Sequence, residues 1–156
     1  MAARLLATMD DEMPRIEYRY FQFVDQDGTT EPPDGWSDTP GLLASAGRGV
    51  LLRTAGNDFY PAVRLEVWSG EPQPQSEGEW EDQDEATFTS DTGLGLFREW
   101  DGGPVGSPIE LGNRGSYRLR AYCRGRAQAE ALIGEEMFYE GVEEWLLQVW
   151  PDEAQA

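Results

Sequence analysis

The chain has 156 residues, with 30 Asp and Glu against 12 Lys and Arg, a formal net charge of −18, and neither histidine nor lysine. A field of that sign repels nucleic acid and anionic membrane and steers basic proteins inward, while the lack of histidine removes the commonest general base and the commonest metal ligand. A hydrophobic share of 39%, with six Trp, six Tyr and six Phe, supplies one domain with a real core and excludes disorder of the whole chain.

No run approaches the roughly 18 to 20 apolar residues of a membrane-spanning helix, and the apolar part of residues 1–10 is too short for a secretory signal, so a cytoplasmic protein is expected. Residues 1–14 read as a flexible N-terminal segment, 15–151 as the folded domain and 152–156 as a tail. The first strand is predicted over 15–25, an aromatic and β-branched stretch that suits a pleated surface, and it ends at the turn Asp25-Gln26-Asp27-Gly28. A long loop follows through Pro32, Pro33, Asp34 and Gly35, anchored by Trp36. Residues 42–46 read as one short helical turn, and 49–55 as a second strand closed by Gly56-Asn57-Asp58. In the third strand Val63, Leu65 and Val67 alternate with Arg64, Glu66 and Trp68.

Residues 79–90 and 94–100 are predicted to pair as a hairpin about Asp91-Thr92-Gly93, with Asp101-Gly102-Gly103-Pro104 turning at its far end. The clearest two-residue period spans 116–126, with Tyr117, Leu119, Ala121 and Cys123 on one face and Arg118, Arg120, Tyr122, Arg124 and Arg126 on the other. Residues 127–140 are predicted to hold a brief helix. The last strand, 142–150, carries apolar residues on both faces, as a strand covered from both sides does. Seven or eight strands joined by Gly- and Pro-rich loops predict an all-β, single-domain antiparallel β-sandwich.

Glu77, Glu79, Glu81, Asp82, Asp84 and Glu85 place six carboxylates in nine residues around Trp80. In an extended chain Glu79, Glu81 and Glu85 share one face and Trp80, Asp82 and Asp84 the other, and like charges so close cost stability unless a cation relieves them. Two readings stand. One is a decoy surface that imitates phosphate spacing and plugs a basic active site, with Trp80 as anchor; the other is a solvated edge that guards a sheet against pairing. The stripe Arg118, Arg120, Arg124 and Arg126 is expected to pair with Glu143, Glu144 or the acidic run rather than with phosphate.

Cys123 reads as a small buried hydrophobe, since no neighbouring His or Lys favours a thiolate. Asp25-Gln26-Asp27-Gly28 opens like a calcium loop, but no bidentate Glu follows at the required distance, so a plain turn is expected. No metal or cofactor motif is present, and so many acids always offer some pair for hydrolysis, without specificity.

Tyr18-Arg19-Tyr20-Phe21-Gln22-Phe23-Val24-Asp25, then Pro33-Asp34-Gly35-Trp36-Ser37-Asp38, then Gly47-Arg48-Gly49-Val50-Leu51-Leu52-Arg53-Thr54-Ala55-Gly56 and Val63-Arg64-Leu65-Glu66-Val67 follow in one order. Across residues 15–68 this resembles the competence protein J family, small bacterial inhibitors of a DNA-entry nuclease. The resemblance returns at Gly115-Ser116-Tyr117-Arg118-Leu119-Arg120-Ala121-Tyr122 and in the final strand, whereas residues 71–106 carry no family element. It implies a β-sandwich and nuclease inhibition by direct binding, with Tyr18, Gln22 and Trp36 as fold signatures.

Residue chemistry and resemblance converge on a non-catalytic inhibitor or immunity protein. It is expected to bind a basic nuclease or nuclease-like toxin through Glu77, Glu79, Trp80, Glu81, Asp82, Asp84 and Glu85. The alternative is a carbohydrate- or small-ligand-binding sandwich that stacks its ligand on exposed Trp68, Trp80 and Trp100. A third is a carboxylate-only hydrolase, which requires a cleft holding two acids of separated pKa.

Overall fold

The computed structural model describes residues 2–28, 30, 32, 34, 36, 41–76 and 78–152. Among these residues the chain forms, in order, β1 (Leu5–Glu12), β2 (Tyr20–Asp25), β3 (Leu43–Ser45), β4 (Gly49–Arg53), β5 (Tyr60–Trp68), β6 (Asp82–Ser90), β7 (Leu94–Arg98), β8 (Pro104–Glu110), β9 (Gly115–Arg124), α1 (Arg126–Ala131) and β10 (Glu140–Pro151). One sheet has the order β1-β5-β10-β9-β6 and the other β3-β4-β2-β7-β8. Neighbours run antiparallel, except that β10 lies parallel to β5. The fold is the all-β, two-sheet architecture that the period-2 patterns predict.

Alternation along each strand becomes alternation in depth. Val63, Leu65 and Val67 of β5, Leu119, Ala121 and Cys123 of β9, and Trp145, Leu147 and Val149 of β10 share one core with Phe21 and Phe23 of β2, Val50 and Leu52 of β4 and Phe97 of β7. Edge-to-face contacts tie the sheets, Phe21 to Trp145 at 5.7 Å between ring centroids and Phe23 to Phe88 at 6.0 Å. Each of these large side chains, fully buried, contributes about 1.5 to 3 kcal/mol.

The outer face of β10 is covered as well, because Arg120 pulls the segment before β6 down onto it. Its guanidinium pairs with Glu71 at 2.6 Å, donates to the Pro72 carbonyl at 3.3 Å and lies over the Trp150 ring at 4.9 Å. The Gln75 N–H adds a bond to the Tyr122 hydroxyl at 3.1 Å. Leu146, Gln148 and Trp150 are buried in consequence, which is why the last strand reads as apolar on both faces.

Four elements differ from the sequence expectation. Residues 42–46 are not a helical turn: β3 pairs with β4 around Gly47, whose φ of 72° suits a tight strand reversal. Residues 5–12, in the stretch expected to be flexible, form β1, which pairs along β5 and packs Ala7 and Met9 against the core. The expected hairpin is absent because β6 and β7 belong to different sheets and the connection between them crosses the sandwich. The Asp101-Gly102-Gly103 turn instead joins β7 to β8, a strand not anticipated, through Glu99 N–H to the Gly103 carbonyl at 2.8 Å.

Candidate functional site

β6 is an edge strand, so the acidic run lies along one border of the first sheet. Glu77 falls outside the described residues. Strand pairing sets Glu85 opposite Arg120, whose Nε donates to Glu85 at 2.8 Å, with Arg118 at 3.8 Å. Asp84 points to the other side, where it accepts the N–H groups of Leu42 at 3.0 Å and Leu43 at 3.1 Å and so fastens β3 to β6. Glu81 accepts the Gly125 N–H. Glu79 and Asp82 are exposed and enter no ion pair among the described residues.

Trp80 is half-buried between the Tyr122 ring, 6.2 Å away, and the Arg124 guanidinium, 4.5 Å above its own ring. The run is thus divided between two faces, and three of its carboxylates are committed to partners within the molecule. A surface whose charge is already neutralised has less repulsion for a partner to relieve.

The arginine stripe pairs as expected. Arg124 meets Glu144 at 2.6 Å, Arg126 meets Glu143 at 3.3 Å, and Arg118 also reaches Asp152 at 3.6 Å.

Among the described residues two carboxylates are wholly buried, and the balance of burial against donors moves their pKa values in opposite directions. Burial favours the neutral form of Asp25, but its Oδ1 accepts the Ser90 hydroxyl at 2.6 Å, the Thr92 hydroxyl at 2.6 Å and the Thr92 N–H at 3.1 Å, while Arg48 grips Oδ2. These donors win and hold its pKa at about 2. The same bonds fix the β6–β7 connection to the end of β2, so the calcium-like turn opens with a structural lock. At Glu143 burial dominates and raises the pKa, despite N–H groups of Ala55 and Gly56 at 3.0 Å each and Trp145 Nε1 at 2.8 Å. Both are saturated and without solvent exposure, which removes them from reach of a substrate.

Burial, followed by the Glu143 charge, pushes the Cys123 thiol far above its ordinary range, so it is inert. Among the described residues no group of three or more Cys, Asp or Glu is placed to hold a metal ion, and no helix is long and apolar enough to cross a membrane.

The tryptophans expected as stacking platforms are spread over separate elements and already occupied. Trp68 donates to Glu66 at 3.0 Å, Trp80 lies under Arg124, and Trp100 packs edge-on against Tyr18 at 4.9 Å. Of the residues implied as fold signatures, Gln22 accepts the Thr30 hydroxyl at 2.6 Å and donates to the Glu99 carbonyl at 3.0 Å, and buried Trp36 carries the Arg53 guanidinium at 4.2 Å. Tyr18 is different: it is 70% exposed. Residues 132–139 fall within the stretch expected to hold a brief helix, but α1 has already ended there and Ile133, Met137 and Phe138 stand exposed, which the sequence reading did not single out. Large apolar residues interleaved with glutamates in a stretch without strand or helix period were the available signal.

Solved structures share this fold. ComJ of Bacillus subtilis, an inhibitor of the DNA-degrading activity of NucA, superposes with a TM-score of 0.58, covering 97% of this chain and 99% of its own at 9% identity. The chain shares the fold of ComJ. The product of crocagin biosynthetic gene J matches with a TM-score of 0.56 at 17% identity, covering 98% of this chain and 100% of its own. No family model and no curated protein matches the sequence. The likeness to ComJ runs through residues 71–106, where the sequence shows no family element.

Proposed function

We propose that this chain is a non-catalytic cytoplasmic inhibitor, or immunity protein, that binds a basic nuclease or nuclease-like toxin and stops it from degrading DNA. The observation that carries this reading is the end-to-end likeness to ComJ, itself a nuclease inhibitor. The net charge of −18 supports it independently, because such a field repels DNA and attracts the cationic groove with which a nuclease holds its substrate. The acidic run serves as part of that field. Glu79 and Asp82 present charge to solvent, whereas Glu81, Asp84 and Glu85 hold the edge of the sheet together.

Capture from the lysate of the source organism on the immobilised chain, at low and at high salt, tests the reading. The expected result is a basic DNA-degrading enzyme that is retained at low salt, released as ionic strength rises, and inactive while the chain is bound. Retention of acidic proteins alone, or of a nuclease that stays fully active in the complex, counts against it.

A further inference from the structure

Every non-glycine residue with positive φ among the described ones lies at one end of the sandwich: Tyr18 (59°), Arg19 (63°), Asp58 (54°), Phe138 (61°) and Val142 (73°). Side chains with a Cβ resist this conformation, and a β-branched valine resists it most. The segments that carry these residues hold one another. Asp58 N–H donates to the Ile16 carbonyl at 3.0 Å, Phe138 N–H to the Asp58 carbonyl at 2.7 Å, and Arg19 N–H to the Asn57 side chain at 3.1 Å. Arg15 lies over the Phe138 ring at 5.1 Å. The Val142 carbonyl approaches so closely that a Cβ on Gly125 would come within 1.9 Å of it.

Among the described residues, five of the seven exposed large apolar side chains belong to the same end: Tyr18, Ile133, Met137, Phe138 and Val142. Strained backbone that displays apolar side chains to water costs stability twice, and such features gather where a protein meets a ligand. The charges around them are also uncompensated. Glu130, Glu135, Glu136 and Glu140 are exposed and enter no ion pair among the described residues; on the Glu79–Glu85 border Glu79 and Asp82 are placed likewise, whereas Glu85 is committed to arginines. Tyr18 and Glu130 line one cleft of about 280 Å³ together with Arg19, Arg53 and Arg126, the last two held by Trp36 and Glu143, which places the N-terminal turn beside the α1–β10 connection.

We infer that this strained end is the contact surface for the basic nuclease, an inference that rests on the inhibitor reading and assigns its site. Tyr18, Met137 and Phe138 form the apolar centre, and the four free glutamates form a rim complementary to a cationic partner.

The test uses the nuclease recovered on the immobilised chain and measures its dissociation constant by calorimetry alongside the melting temperature of each variant. Tyr18→Gly and Phe138→Gly remove the side chain and allow the positive φ. The expected result is an unchanged or raised melting temperature with affinity weakened about 10- to 100-fold, chiefly through faster dissociation. Met137→Ala should also weaken binding, whereas Leu6→Ser on β1, outside this end, should shift it less than about threefold. Unaltered affinity in the three variants, with the parent chain still inhibiting, overturns this surface and leaves the inhibitor reading standing. Failure of the parent chain to bind any nuclease overturns both. A dimer of the parent chain that Phe138→Gly converts to monomer assigns the face to self-association and overturns the inference.

Discussion

Asp25 and Glu143 show how one chemical group takes two roles according to its surroundings. Asp25 is held as a carboxylate at a pKa of about 2, so its contribution to stability is present above its ordinary pKa near 4 and is lost as pH falls through 2. Asp25→Asn should cost about 2 kcal/mol at neutral pH and flatten the loss of stability between pH 4 and 2, measured by urea unfolding across that range. Glu143 is the opposite case. Its folded pKa is raised, so the native protein binds its proton more tightly than the unfolded chain and loses that advantage as pH climbs above the ordinary carboxylate value. Glu143→Gln keeps an acceptor for the Ala55 and Gly56 amides but sets its NH2 against the Trp145 and Arg126 donors, so it should cost about 1 to 3 kcal/mol, a deficit that narrows as pH rises from 4 to 8. Glu143→Ala leaves those donors and Arg126 unpaired and should cost about 3 to 5 kcal/mol in the same assay.

At the scale of elements, legibility followed the number of neighbours an element needs. β5 and β9 were readable from alternation alone because one apolar face and one polar face are local properties. The double coverage of β10 was readable from its composition, although what covers it was not. Residues 42–46 are too few to show a period, and their strand state is imposed by pairing with β4 and by the Asp84 carboxylate. The Asp91-Thr92-Gly93 connection carries the same turn residues whether it closes a hairpin or crosses between sheets, and the deciding contact is the remote Asp25. The pairing of the acidic run was hidden for a related reason: the arginines that neutralise Glu85 become visible only once β6 is registered against β9. Asp84→Ala should accelerate amide hydrogen exchange at Leu42 and Leu43 about tenfold or more and leave the amides of β9 unchanged, since it releases one corner and not the sheet. Gly125→Ala is expected to destabilise by more than about 3 kcal/mol in thermal melts, because its Cβ would overlap a backbone carbonyl that cannot rotate away.

For the whole molecule the consequential property is charge, and it was legible from composition before any element was placed. The likeness to ComJ was legible only in part, because residues 71–106 preserve the fold without preserving recognisable residues. A chain of net charge −18 should meet a cationic nuclease quickly at low salt. Between about 0.05 and 0.5 M salt the association rate should fall by at least about tenfold, with a smaller change in dissociation, as stopped-flow mixing will register. Inhibition by occupancy also has a signature that a catalytic mechanism lacks. The deciding measurement is a titration of the chain into a DNA-degradation assay of its captured nuclease, with the enzyme well above the dissociation constant. Activity is predicted to fall in a straight line and vanish at a fixed molar ratio. Undiminished activity, or complete inactivation by far less than a molar equivalent of the chain, contradicts a non-catalytic inhibitor.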